Sequence, residues 1–207
     1  IELDGKPNKS HLGANAILGV SLAFAHAMAQ AKEQALYQYF ADLADLHQKP
    51  RLPVPLMNII NGGVHAQNST DIQEFMILPV GAPSYREALR WGAETFHALK
   101  KLLSERSVNT NVGDEGGYAP SFASNETAIE AIIEAIGRAG YVAGKEIAIA
   151  IDAAANSFYE NGRYKLRSEF KDLTTREMIS LYADWKDKYP IVSIEDGLME
   201  DDWEGYK

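Results

Sequence analysis

Two apolar runs that end in carboxylates constrain the fold of this chain more than any other feature. Ile147-Ala148-Ile149-Ala150-Ile151-Asp152 and Ile191-Val192-Ser193-Ile194-Glu195-Asp196 each read as a strand buried on both faces and closed by an acid. Between them, a polar loop through Asn161-Gly162 leads to a helix opened by the capping box Thr174-Thr175-Arg176-Glu177 and broken at Tyr189-Pro190. A helix that crosses between two strands makes them parallel, and strands this apolar need helices laid over the sheet.

The upstream elements complete the order. Val54 to Ile60, closed by Asn61-Gly62-Gly63, predicts a strand and turn, and Asp71 to Val80 predicts a second strand. Alternation puts Ile72, Glu74, Met76 and Leu78 on one side of that second strand, and Gln73, Phe75 and Ile77 on the other. A helix follows the capping box Ser84-Tyr85-Arg86-Glu87, with Leu89, Phe96, Leu99 and Leu103 as its apolar stripe. Another runs from about Glu126 to Ala139 and ends at Gly140. Strand, strand, helix, helix, strand, helix, strand is an α/β order, either half a barrel or an open sheet.

Gln48-Lys49-Pro50-Arg51-Leu52-Pro53 is a Pro-rich connector, and it divides a helical unit, residues 1–47, from residues 48–207. Ser10 is placed to cap a helix over Leu12 to Ala31, twenty residues without a charge. Seven of those twenty are Ala, which contributes little to transfer into lipid, so a helix buried in protein is expected rather than a membrane span. A second short helix is predicted near Ala35 to Leu46.

The chain has no cysteine, which excludes disulfides, a thiolate nucleophile and a Cys-based zinc site. Its 20 basic residues face 29 acidic ones, and no basic run exceeds Lys100-Lys101, so the footprint of a nucleic-acid backbone is absent. A chain of net charge -9 that handles an anion needs a metal ion or a few well-placed cations. The start, Ile1-Glu2-Leu3-Asp4, is not a signal peptide, and a cytoplasmic setting is expected. Both ends read as cut, as in an internal segment of a longer chain.

The acids carry the chemistry. A lone acid at a strand end caps the next helix or is simply solvated. Asp152 and Glu195, at the carboxyl ends of neighbouring parallel strands ~4.8 Å apart, could instead share one hard cation. Glu74 shares its strand face with Ile72, Met76 and Leu78 and is expected to point into an apolar interior. Gly113-Asp114-Glu115-Gly116-Gly117 presents a carboxylate on a turn whose glycines permit close approach to a ligand. His65 follows Asn61-Gly62-Gly63 on a loop between two strands.

Taken in order, Asn8-Lys9-Ser10 running into Gly13-Ala14-Asn15-Ala16-Ile17-Leu18, Met57-Asn58-Ile59-Ile60-Asn61-Gly62-Gly63, Asp71-Ile72-Gln73-Glu74-Phe75-Met76, the Gly113–Gly117 turn and Ser193-Ile194-Glu195-Asp196 resemble the enolases, the phosphopyruvate hydratases of glycolysis. The resemblance runs from Leu3 to Lys207. It implies helices of an α+β N-terminal capping domain followed by the first half of an enolase-type (β/α)8 barrel. It also implies a Mg²⁺-dependent lyase acting on 2-phosphoglycerate and phosphoenolpyruvate, usually a homo-oligomer, with some members reported at the cell surface or secreted. On the same grounds, Asp152 and Glu195 match two of three acidic metal ligands. Glu115 matches the general acid that protonates the departing hydroxyl, and Glu74 its partner carboxylate. Gln73, Glu74 and His65 match substrate-contacting positions, His65 on a closing loop.

The third metal acid, the catalytic lysine base, a second lysine and a phosphate-binding arginine belong, by this resemblance, to sequence beyond Lys207. A serine loop for a second metal belongs before Ile1. Residues 1–207 alone are therefore expected to be inactive. Two alternatives share some of these features: a racemase or sugar-acid dehydratase of the same superfamily, and a non-catalytic binding or structural protein with an enolase-like fold.

Overall fold

A computed structural model describes residues 1–65, 69–113 and 115–207, with the backbone alone at residue 65. The chain divides into two compact units, Ile1–Arg51 and Leu52–Lys207.

The first unit holds α1 (Ala14–Ala31) and α2 (Leu36–Leu43). The helix start differs from expectation: Gly13, at φ 84°, occupies the cap position and no side chain caps α1. Ser10 sits in the preceding turn, where its own N–H donates to Asn8 Oδ1. The sequence predicts a helix buried in protein, but within this unit its burial is confined to one stripe. Ala25 and Ala29 are buried with Tyr39, packed by Met28 and Leu36, whereas Leu18, Val20 and Phe24 are exposed. The cause is simple: α2 is the one helix of this unit laid against α1, and one neighbour covers one stripe. By length and composition alone α1 would pass as a membrane span, with alanine supplying much of its apolarity.

The second unit is built on a four-stranded sheet of β1 (Met57–Asn61), β2 (Glu74–Leu78), β3 (Ala148–Asp152) and β7 (Ile191–Glu195), in that spatial order. The β1/β2 and β2/β3 pairs are antiparallel and β3/β7 is parallel. Helices α3 (Tyr85–Glu105) and α4 (Asn125–Arg138) connect β2 to β3, and α5 (Thr175–Lys188) connects β3 to β7.

Alternation separates the sheet's two faces. Phe75, Ile77, Ile149 and Ile151 join Leu99, Leu102 and Leu103 of α3, Ile129, Ile132 and Ile136 of α4, and Met178 and Trp185 of α5 in one core. Each such side chain contributes about 1.5–3 kcal/mol on burial, so the helix-covered face holds the unit together. The opposite face carries small residues, with Ala148 and Ala150 alternating with the core isoleucines. Ile72 departs from the expected alternation: it lies before β2 begins and is buried in the helix-side core.

The caps refine the sequence reading. Thr174 and Glu177 form the complete reciprocal box. Ser84 accepts from the Glu87 N–H, but Glu87 turns its carboxylate to Arg90, which leaves half a box. Leu89 is exposed, and its expected place in the stripe falls to Ala88, Trp91, Gly92 and Thr95, which repeat at the helical period.

The expected loop between β3 and α5 contains a second sheet. Its strands are β4 (Tyr159–Glu160), β5 (Arg163–Leu166) and β6 (Lys171–Leu173), joined antiparallel in sequence order. Asn161 and Gly162, at φ 52° and 81°, make the two-residue turn between β4 and β5.

Candidate active site

The register of the main sheet brings three of the expected acids together. Asn61 on β1 pairs with Glu74 on β2, Glu74 with Asp152 on β3, and Asp152 with Glu195 on β7. Direct cross-strand partners point to the same face, so these four side chains form one row across one end of the sheet. Next to that row, Asn58, Met76, Ala150 and Ser193 line the same face. The acids therefore sit on the face away from the helices, at the end of rows that include the buried Met76 and Ala150. The strictly apolar surroundings expected for Glu74 are corrected: Met76 and Ala150 lie on one side of it, but its own row is polar and it is half-buried.

Asp152 is oriented by local structure. Its Oδ1 accepts from the Ala154 N–H at 2.9 Å, and Ala154 adopts a left-handed conformation at φ 44° to deliver that bond. Pairing with the neighbouring strand continues past the acids, with the Ala153 N–H donating to Glu195 O at 3.0 Å and the Ala155 N–H to Asp196 O at 3.0 Å. Both ends of the Asp152–Glu195 pair are thus fixed by backbone ladder bonds. Tyr182 of α5 packs beneath this corner. Burial first, then neighbouring Tyr164, Tyr206 and Asp152, push its phenol well above the usual range, so it stays neutral.

Glu115 lies on a loop suspended from the end of β1. The Tyr118 N–H donates to Ile59 O and its carbonyl accepts from Asn61 N–H, while the Gly113 N–H donates to Gly117 O at 2.8 Å. The buried Asn61 side chain also donates to Gly117 O, at 3.0 Å, and accepts from Asn58. Tyr118 is itself locked by stacking on Phe96 of α3, with ring centroids 4.2 Å apart. A Cβ on Gly117 would come within 2.9 Å of the Ile59 and Ile60 backbone, which is why the loop can lie this close to β1 only with glycine there. Glu115 is exposed, and Asp114 lies outside the described residues.

Gln73 is half-buried immediately before β2, its carbonyl accepting from the Gly62 N–H at 2.8 Å. His65 ends a short 3-10 turn over Gly63–His65, and its side chain lies outside the described residues. Asn61 and Asn58 were not singled out from sequence. No spacing signal marks them, because their place in the row depends on which strand lies alongside.

The donor set can be tested against a divalent cation. Among the described residues, no three His, Asp or Glu side chains converge to hold a metal ion. Two carboxylates on adjacent strands, that of Asp152 held by a backbone N–H, nevertheless fit the chemistry of Mg²⁺, a hard cation that keeps several waters and takes one or two protein carboxylates. Glu195 is exposed and Asp152 is half-buried beside it.

Comparison with family models gives two matches. The enolase C-terminal TIM barrel domain matches residues 49–207, and the enolase N-terminal domain matches residues 1–40.

Proposed function

This chain belongs to the enolase family, and on that premise we propose that its full-length protein is the glycolytic hydro-lyase that interconverts 2-phospho-D-glycerate and phosphoenolpyruvate. The observation that carries this reading is the row Glu74–Asp152–Glu195 on the face of the sheet away from the helices.

Asp152 and Glu195 would hold Mg²⁺. When bound, the metal would supply positive charge to stabilise the carboxylate of the substrate as its α-proton passes to the family's lysine base. The Ala154 N–H holds Oδ1 of Asp152 at 2.9 Å and so helps to orient this carboxylate. Glu115, on its glycine-flanked loop, gives a proton to the departing hydroxyl, turning a poor leaving group into water. Glu74, one strand over from Asp152, is the partner carboxylate and touches substrate together with Gln73 and His65. The Asn61 and Tyr118 contacts fix the stem of the Glu115 loop, so the acid is delivered from a rigid base.

The experiment is a turnover assay of the full-length protein with 2-phosphoglycerate, with and without a Mg²⁺ chelator. Mg²⁺-dependent formation of phosphoenolpyruvate is expected. A folded protein with no turnover at saturating Mg²⁺ would instead favour a binding or structural role for an enolase-like fold.

A further inference from the structure

A second polar cluster lies just upstream of the acid row, at the segment leading into β2. Its centre is Asn125, the first residue of α4, which is fully buried. Its Oδ1 accepts from the backbone N–H groups of Asp71 and Ile72, each at 3.0 Å. Its Nδ2 donates to Glu169 Oε1 at 2.8 Å and to Asp71 Oδ2 at 3.3 Å. Glu169 Oε1 also accepts from the Asn125 backbone N–H at 2.9 Å, and its other oxygen accepts from Lys171 Nζ at 2.6 Å.

Asp71 reaches the opposite way. Its carboxylate accepts from the Arg167 N–H at 2.7 Å, from the Ser168 N–H at 3.2 Å and from the Ser168 hydroxyl. On the far side of the same segment, the Gly62 N–H donates to Gln73 O and the Gly63 N–H to Thr70 O. Residues 70–73 are thus clamped between the turn that ends β1 and the buried amide of Asn125.

Helix formation does not account for this use of Asn125. Ser124 already caps α4 by accepting from the Thr127 N–H at 3.1 Å. The Asn125 side chain instead spends its acceptor on a segment 54 positions upstream. An amide suits the position because acceptor and donor are both needed: two N–H groups arrive on one side and two carboxylates on the other. An apolar residue would leave the Asp71 and Ile72 N–H groups buried without partners. Gln73 and Glu74 follow directly.

We infer that Asn125, braced by Glu169, is a positioning residue for the candidate active site, setting where Gln73 and Glu74 enter the acid row. The effect on catalysis rests on the function proposed above; the grip on the backbone does not.

The test uses the full-length protein with Asn125→Ala and Asn125→Asp, assayed well below their unfolding midpoints. Asn125→Ala is expected to lower kcat by about 10- to 100-fold with a smaller change in KM, the loss expected when a group is misplaced by about an ångström. Asn125→Asp is expected to fall similarly at neutral pH and to recover relative to the parent as pH falls, because a protonated carboxyl regains the donor. Hydrogen exchange provides the activity-independent arm: in Asn125→Ala, the Asp71 and Ile72 amides lose protection while those of β3 and α3 keep theirs. Parental kcat in Asn125→Ala, a pH profile of Asn125→Asp parallel to the parent, or a uniform loss of protection would each overturn the inference. If the parent itself fails to turn over 2-phosphoglycerate, the proposed function falls. The exchange arm then decides alone: selective loss at Asp71 and Ile72 upholds the grip of Asn125, and unchanged protection overturns it.

Discussion

Glu74 stands directly opposite Asp152 in the antiparallel register of β2 and β3. Because Asp152 also partners Glu195 across the parallel β3/β7 pair, the strand register places three carboxylates in one row. Like charges in one row repel, and a bound cation would relieve that repulsion.

Asp152→Asn tests the proposed metal role of this residue apart from its structural one. The amide oxygen still accepts from the Ala154 N–H, so the thermal midpoint should stay close to the parent's. Mg²⁺ affinity of the full-length protein should fall by more than the roughly 10- to 100-fold typical of losing an outer hydrogen-bond partner of a metal ligand. Calorimetric titration with Mg²⁺ checks the first quantity and thermal melting the second; unchanged affinity would remove Asp152 from the ligand set.

Gly117→Ala should be destabilising by about 1–3 kcal/mol, as for other overpacked sites. The added Cβ meets the backbone of Ile59 and Ile60 rather than a side chain that could move aside. Denaturant unfolding measures the loss. Because the same collision pushes the loop off β1, kcat should fall as well in the full-length protein.

The Asn161-Gly162 turn gives an independent check on the small sheet. Gly162→Ala places a Cβ at φ 81°, which costs about 1–2 kcal/mol for an L residue. For a unit of this size, each kcal/mol corresponds to a fall of about 2–4 °C in melting temperature. A variant melting with or above the parent would show that the turn is not formed as described.

Glu169 predicts a specific acid sensitivity. Burial pushes its carboxyl up, but hydrogen bonds from Lys171 and from the Asn125 backbone and side chain outweigh it, leaving it below the ordinary value of 4.5. A depressed folded-state value contributes stability that is present above pH 4.5 and lost as pH falls through the folded value. Glu169→Gln should therefore melt below the parent at neutral pH, and the gap should close under acid conditions. Melting curves over a pH series decide this; a constant gap would mean that the carboxylate charge plays no part.

The legible and illegible parts of this chain differ in the range of the interactions behind them. Asp152 and Glu195 could be placed because an apolar run, a capped helix and a second apolar run force parallel neighbours within a short stretch. Thr174 with Glu177 was readable for the same reason, since a cap is local. Glu87 shows the limit of that logic: the motif was complete, but Arg90 competed for its carboxylate. The β4–β6 sheet is hard to read although Asn161-Gly162 is a strong hairpin signal, because β4 and β6 are only two and three residues long and show little alternation. The side-chain bonds of Asn125 to Asp71 and of Asn61 to Gly117 are not legible, since their partners lie more than fifty positions away in the chain.

The pairing of β3 has a consequence for how this protein tolerates changes in length. Inserting one codon within Ala148–Asp152 reverses the parity of the strand, and the terminal carboxylate then turns toward Phe75, Ile77 and the helices behind them. The same insertion near Gly162 merely lengthens an exposed connection between two short strands. Among descendants of one gene, variation in residue number should therefore accumulate at the hairpin tip and be purged from the central strand, even where every inserted residue is hydrophobic.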